Sequence, residues 1–436
     1  MISITPKRIR KDFYITLQQM EADRPLYVKD PLRDFTREST FSFQRTMLFL
    51  TQMESHSTNR EINDFFLPLG RPVTQSAFVQ ARDKFNEKAF PALLQRFNKK
   101  YPFRKTKHGL HVFAIDGSDL NIPADKTDCS TFISYNSNQG GYHQLHVNLM
   151  YDLLEKRYSD VVIQPRTEIR EAAAACDMVD RSPFDRNCLY IFDRGYTSLN
   201  LMAHIVSRNS FFLIRAKEIN ATKSLFSRMQ LPNPEEFDVP VRFIVTRNRK
   251  LWKKNPCLYK LIHNDRAFDF IDTGDKESTF ELCFRLVCVK LESGGLEYLI
   301  TNLPSKKYSP DALRELYHLR WDIEKSFLFL KYGIALNYFH SVKREFLIQE
   351  IYSRLILSNF ISLVVSCAEL SFTGTKYHYK ISISDAIYKC RNYLTANPAY
   401  KDVLPLLLRN KVPIRPNRRY PRNMRSQRLK SLQHRT

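Results

Sequence analysis

Tyr317, Arg320, Glu324 and Lys331 lie in the segment YHLRWDIEKSFLFLK, at offsets of three, seven and fourteen residues from the tyrosine. One carboxylate is thereby grouped with two cations and a phenol, a set suited to handling phosphate. At 3.6 residues per turn the four positions share a limited arc of a helix, and Phe327, Leu328 and Leu330 remain to pack it down.

The pattern Tyr-x2-Arg-x3-Glu-x6-Lys resembles the YREK signature of bacterial DDE transposases, the enzymes of cut-and-paste insertion sequences. That resemblance implies that Glu324 binds a catalytic metal and that two aspartates complete the set. One carboxylate alone does not hold a hard, octahedral Mg²⁺ close to a phosphodiester. Two segments qualify as the source of the partners. In HVFAIDGSDL the apolar run Val112 to Ile115 reads as a buried strand, and Asp116 lies where it meets the Gly117 turn. In CLYIFDRGYTSLNLM the run Leu189 to Phe192 ends at Asp193, followed by Gly195 and a helix that Ser198 caps. Both carboxylates then emerge at strand ends, where α/β folds place their chemistry.

Neighbouring groups compete for these roles. Asp119, three residues after Asp116, is an alternative ligand or a supporting carboxylate, and Asp116 is preferred because it sits directly at the strand end. Asp152 ends a second predicted strand and is a candidate for the same site. His143 and His146 are three apart on a strand, so they point to opposite faces, and a core or surface role is expected for both. An isolated Asp is usually a cap or a turn residue. Only the joint occurrence of Asp116, Asp193 and the four-residue signature raises these three carboxylates above that reading.

The fold class expected from the resemblance is α/β: an RNase H-like catalytic core interrupted by a β-rich insertion, flanked by a helical N-terminal DNA-binding domain and a helical, basic C-terminal region. The expected divisions are residues 1–105 for the helical DNA-binding domain, 106–217 for the first part of the core and 218–295 for the insertion. Residues 296–345 hold the second part of the core with the catalytic helix, 346–408 the C-terminal helices and 409–436 the basic tail. Alternating and apolar runs (VRFIV, LCFRLVCVKL, LEYLITNL) fill the insertion region, the last two joined as a hairpin by the turn Ser293-Gly294-Gly295. Thr167 is expected to cap the helix EIREAAAACDMV.

Composition points to a polyanionic partner. Sixty-eight Lys and Arg oppose 45 Asp and Glu, a formal charge of +23, so affinity for double-stranded DNA that falls steeply with salt is expected. The 43% hydrophobic content excludes a disordered basic tail. Scattered cysteines without metal spacing fit reduced thiols. The most apolar stretch, Leu355 to Phe372, is broken by Asn359, serines and Glu369 and reads as a core helix, not a membrane span. A cytoplasmic, nucleoid-associated bacterial protein with no membrane contact is expected.

Several basic and aromatic residues are candidates for DNA contact. Thr74 caps a helix whose polar side carries Gln75, Gln80, Arg82 and Lys84, which is either a helix-turn-helix-like reader or an ordinary solvated face. Trp252, among Arg249, Lys250, Lys253 and Lys254, is either a platform for a flipped base, as the resemblance implies for this region, or a packing residue. The tail, acid-free after Asp402 and including Arg418, Arg419 and Arg422, is expected on DNA.

The resemblance further implies terminal inverted repeats and target DNA as partners, a homodimer in the synaptic complex, and two divalent ions (Mg²⁺, with Mn²⁺ accepted) about 3.5–4 Å apart on Asp116, Asp193 and Glu324. It assigns Arg320, Lys331 and Tyr317 to backbone phosphates, with Arg194 and Arg215 as further contacts. The alternatives are a structure-specific metal-dependent nuclease that cuts without joining, and a catalytically inert DNA-binding descendant.

Overall fold

The computed structural model describes residues 4–136, 139–184, 186–216, 225–226, 229, 231–232, 236–291, 294–370 and 379–414. Five helices open the chain: α1 (Pro6–Ala22), α2 (Phe43–Gln52), α3 (Thr58–Phe66), α4 (Gln75–Asp83) and α5 (Ala89–Lys99). Then come β1 (His111–Ile122), β2 (Phe132–Asn136), β3 (Gln139–Asp152), β4 (Arg157–Pro165), α6 (Glu171–Asp180), β5 (Cys188–Phe192), α7 (Leu199–Ser207) and β6 (Phe211–Arg215). The next segment holds β7 (Phe237–Thr246), α8 (Arg249–Lys254), β8 (Tyr259–Leu261), β9 (Thr279–Lys290) and β10 (Leu296–Thr301). Last come α9 (Pro310–His318), α10 (Trp321–Leu328), α11 (Arg344–Glu369), β11 (Tyr379–Ile381), α12 (Ile383–Leu394), α13 (Val403–Arg409) and β12 (Lys411–Pro413).

One mixed sheet organises the molecule, in the order β2-β3-β1-β5-β6-β10-β9-β7-β8, with β4 sharing the β2 edge of β3. β1 runs antiparallel to β3 and parallel to β5, and β5 runs parallel to β6. β10 then bridges β6 and β9, antiparallel to both. The strands of the 218–295 segment therefore extend the central sheet and do not form one of their own. β9 and β10 make the expected hairpin, with Gly294 at a φ of 86° that favours glycine.

Side-chain alternation divides β1 between two cores. Val112 and Ala114 join a cluster with Ile323, Phe327 and Leu330, while Phe113 and Ile115 join one with α6 and α7. The first cluster also takes in the N-terminal helices and α11, so chain start and chain end share a core. α11 is the only helix among the described residues long and apolar enough to cross a membrane, and its apolar stretch is 83% buried within the fold.

β3 begins at Gln139, in the Gly-rich stretch before His143, and pairs there with β2. One local expectation is corrected. Thr167 caps no helix: its hydroxyl donates to the Ser130 carbonyl, and α6 starts only at Glu171 after an extended Ile169.

A buried charge network ties the N-terminal helices to α11. Arg82 of α4 donates to Glu350 at 3.0 Å, to Gln349 at 3.1 Å and to the Phe346 carbonyl at 2.9 Å. His340 lies 3.1 Å from Glu350 and 3.2 Å from Glu61 of α3. Burial alone would lower the pKa of His340, but the two carboxylates outweigh it and raise it to about 9. A histidine raised above its ordinary 6.5 stabilises the fold fully below pH 6.5 and loses that contribution as pH climbs through 9. We expect unfolding free energy from urea titrations to fall by roughly 2–3 kcal/mol between pH 6.5 and 9.5 on account of His340 alone, beyond what other histidines contribute. A His340→Gln variant should show a clearly flatter profile over the same range.

Candidate active site

β1 and β5 are paired in parallel up to Ala114 and Ile191, and two residues further along each strand stand Asp116 and Asp193. Equal extension from a shared register brings the two carboxylates to the same level, side by side. Asp116 Oδ1 accepts the Gly117 amide at 2.9 Å, and Asp193 Oδ1 accepts the Gly195 amide at 2.7 Å. Burial pushes the Asp116 carboxyl up to about 6, and the negative charges of Asp193 and Glu324 add to the rise against the opposing pull of the Gly117 amide and Arg320. Asp193 and Glu324 are thus within electrostatic reach of Asp116.

The helix expected to carry all four signature residues is not continuous. Tyr317 lies in α9 and Arg320 in a tight three-residue turn, where its amide bonds the Tyr317 carbonyl at 3.0 Å. Glu324 lies in α10, and Lys331 in a π-helical turn, Phe329–Gly333. Such wide turns cluster at functional sites. Arg320 bridges two of the acids, 2.7 Å from Glu324 Oε1 and 3.7 Å from Asp116 Oδ2. The Lys331 ammonium donates to Ser118 Oγ at 2.7 Å and to the Asp119 carbonyl at 2.8 Å, and its burial lowers its pKa. Tyr317 is packed in the core, and its hydroxyl is buried with no hydrogen-bond partner among the described residues. A buried hydroxyl left unpaired costs free energy that an incoming acceptor recovers.

A protein-family model described as "Transposase DDE domain" matches residues 107–360, more than half of the chain, and that span contains Asp116, Asp193, Glu324 and the whole signature segment. The chain belongs to the DDE transposase family. It is a DNA transposase, an enzyme of a family that generally uses divalent metal ions. Among solved structures it is similar to the cryo-EM piggyBac transposase synaptic complex with hairpin DNA, at a TM-score of 0.48 and 9% identity over 95% of this chain and 88% of that one. No curated protein sequence matches it.

The remaining candidates of this transposase scatter around that centre. Arg194 is exposed directly after Asp193. Arg215 ends β6 one strand away, since Ile214 pairs with Phe192, and it lies 3.3 Å from Glu297. Trp252 sits half-buried in α8, which packs on β7 and β8, four strand spacings from β5 and so roughly 20 Å across the sheet from Asp193. Arg82 is a correction: it was expected on a polar outer face but is fully buried in the network with Glu350, whereas Gln75 and Gln80 are exposed. Its ion pair spans 268 residues of sequence, and helical periodicity carries no sign of such a partner. Arg418, Arg419 and Arg422 lie outside the described residues.

Asp152 is also corrected. It pairs with Phe113, three residues before Asp116 on β1, which does not end at Asp116 as expected but runs on to Ile122, and its carboxylate caps the β3–β4 turn by accepting the Leu154 and Glu155 amides. Asp119 is turned to the other face of β1, where it meets His146 at 2.7 Å. Two residues that the sequence reading left aside, His146 and Glu171, thus stand directly behind the site. His146 lies in β3 and Glu171 at the start of α6, with β4 between them, and no spacing in the sequence singles the pair out.

Proposed function

We propose that this transposase binds the terminal inverted repeats of a bacterial insertion sequence and moves it by cut-and-paste, cleaving the ends and joining them to target DNA. The observation that carries this reading is that Asp116 and Glu324 share the Arg320 guanidinium while Asp193 stands level with Asp116 on the neighbouring parallel strand. The strand order β4-β3-β1-β5-β6, with its switch from antiparallel to parallel pairing at β1, supports an RNase H-like core. The signature residues stand in the matched span and support membership of the YREK group.

The donor set fits a hard divalent cation: every donor is a carboxylate oxygen, and Asp116, whose carboxyl is raised chiefly by burial and further by Asp193 and Glu324, would be favoured in its ionised form by a cation. No His, Cys, Asp or Glu group among the described residues is already drawn into a metal-holding cluster, and Arg320 stands between two of these acids. Asp116, Asp193 and Glu324 would hold Mg²⁺, or Mn²⁺ in its place. Bound there, the ions supply a nucleophilic water and then an activated 3′-hydroxyl, and stabilise the leaving oxygen. Tyr317 donates its unpaired hydroxyl to a backbone phosphate, and Arg320, Arg194 and Arg215 supply cations around the cut end. Lys331 joins them when DNA competes for its ammonium. Trp252 and its cationic neighbours offer a stacking surface further out, and Arg418, Arg419 and Arg422 add electrostatic affinity. The working assembly is a homodimer synapsing two ends in the bacterial cytoplasm, at the nucleoid.

The deciding experiment is cleavage and strand transfer on a fragment carrying the DNA ends that flank this gene, with Mg²⁺ or Mn²⁺, for wild type and Asp193→Asn. Metal-dependent joined products that vanish in the variant are expected; cutting without joining would make the protein a nuclease, and binding alone an inert relic. Removing residues 409–436 should weaken DNA binding and flatten the plot of log affinity against log salt, because each lost phosphate contact reduces the slope by roughly 0.9. An unchanged slope would make the tail a bystander.

A further inference from the structure

Behind the carboxylates, on the opposite face of β1, lies a group that the reaction itself does not use. His146 stands directly across from Asp119 in the β1–β3 ladder. Its Nδ1 is 2.7 Å from Asp119 Oδ1, and its Nε2 is 3.2 Å from Glu171 Oε1 at the start of α6. The imidazole is almost completely buried, and its two acid partners raise its pKa to about 9 against the effect of burial.

The clamp touches the strand one residue from Asp116. A Cβ on Gly117 would come within 2.4 Å of His146 Nε2 and 2.7 Å of Glu171 Oε1, so glycine alone lets the backbone lie this close to the pair. From the other face, Lys331 grips the same stretch through Ser118 Oγ and the Asp119 carbonyl. The segment carrying Asp116 is thus held on both faces, by a lysine from the π-helical turn and by a histidine from β3 backed by α6. Past Ala114 the strand keeps its ladder with β3 but loses β5, so its edge beside Asp193 has no backbone partner among the described residues, and shifts well under 1 Å matter where charged ligands must converge.

We propose that His146, clamped between Asp119 and Glu171, is a positioning residue that holds β1 at Gly117 so that the Asp116 carboxylate meets Asp193 and Glu324. The inference rests on the metal-dependent reading of the site given above. Partners of this kind commonly change metal affinity or activity by about 10–100-fold when removed.

The test uses the full-length transposase with Mn²⁺ as the probe. Two midpoints are measured, one from Mn²⁺-dependent cleavage of the end fragment and one from the Mn²⁺-dependent rise in Tm without DNA. His146→Ala should raise both midpoints by roughly tenfold or more while DNA binding in EDTA stays at the wild-type level. His146→Gln, which still offers a donor to Asp119, should recover much of the loss. If His146→Ala does not fold, Glu171→Gln keeps the shape and removes one charge, and should raise the midpoints several-fold. Wild-type midpoints in the folded variants, or equal losses in Ala and Gln with unmoved midpoints, overturn the proposal. Should wild type itself fail to cleave, the functional reading fails, and the Tm midpoint alone still decides the role of His146.

Discussion

Glu324→Gln should leave end binding intact and lower cleavage by roughly 10³-fold, the scale on which removal of one preorganised charge from a catalytic site is felt. The substitution keeps the size of the side chain and its hydrogen bond to Arg320, now 2.7 Å away, but removes the charge that pairs with the guanidinium. Asp116, 3.7 Å off, then remains as the ion-pair partner of Arg320 among the described residues. Gel-shift titration in EDTA beside a cleavage assay in Mg²⁺ separates the two effects. Lost binding with residual cutting would remove Glu324 from the metal site and make it a DNA contact.

The second large effect concerns stability. Arg82→Ala removes three hydrogen bonds and leaves Glu350, fully buried, with His340 as its remaining close cationic partner. Burial by itself would push Glu350 up, yet Arg82, His340 and Arg354 hold it at about 2, which shows how much its ionised form relies on that company. Breaking such a pair from one side costs about 3–5 kcal/mol. A matching drop in urea-derived stability is expected, with DNA affinity per folded molecule unchanged. A variant of wild-type stability that binds DNA poorly would return Arg82 to the role of a phosphate contact.

Arg82 also marks where the sequence stops being legible. Its helix is readable from Thr74, whose hydroxyl oxygen does accept the Ala77 amide, and from the stripe of Phe78 and Ala81. A cation on the polar side of such a stripe looks solvated until α11 arrives from far along the chain. The same holds for Asp119 and His146, whose pairing depends on hairpin register. In contrast, Asp116 and Asp193 each follow an uninterrupted apolar run, and runs buried on both faces mark central strands directly. The break at Arg320 and the π-helical turn at Lys331 left no trace, because neither Gly nor Pro punctuates the segment between Tyr317 and Lys331. Spacing along an ideal helix therefore found the right residues through a geometry they do not adopt.

The ladder from β6 through β10 to β9 has a consequence for anyone wishing to trim or exchange parts of this enzyme. A segment joined only by its two chain ends could be lifted out and its stumps sealed. Here, removal of β7–β9 would bare the length of β10 and, with β10 displaced, the backbone donors and acceptors of β6 beside Asp193. Unsatisfied edges of that kind recruit other chains. The 218–295 segment is thus no cassette: a shortened version must bring its own edge protection, or it will trade a missing segment for a sticky one.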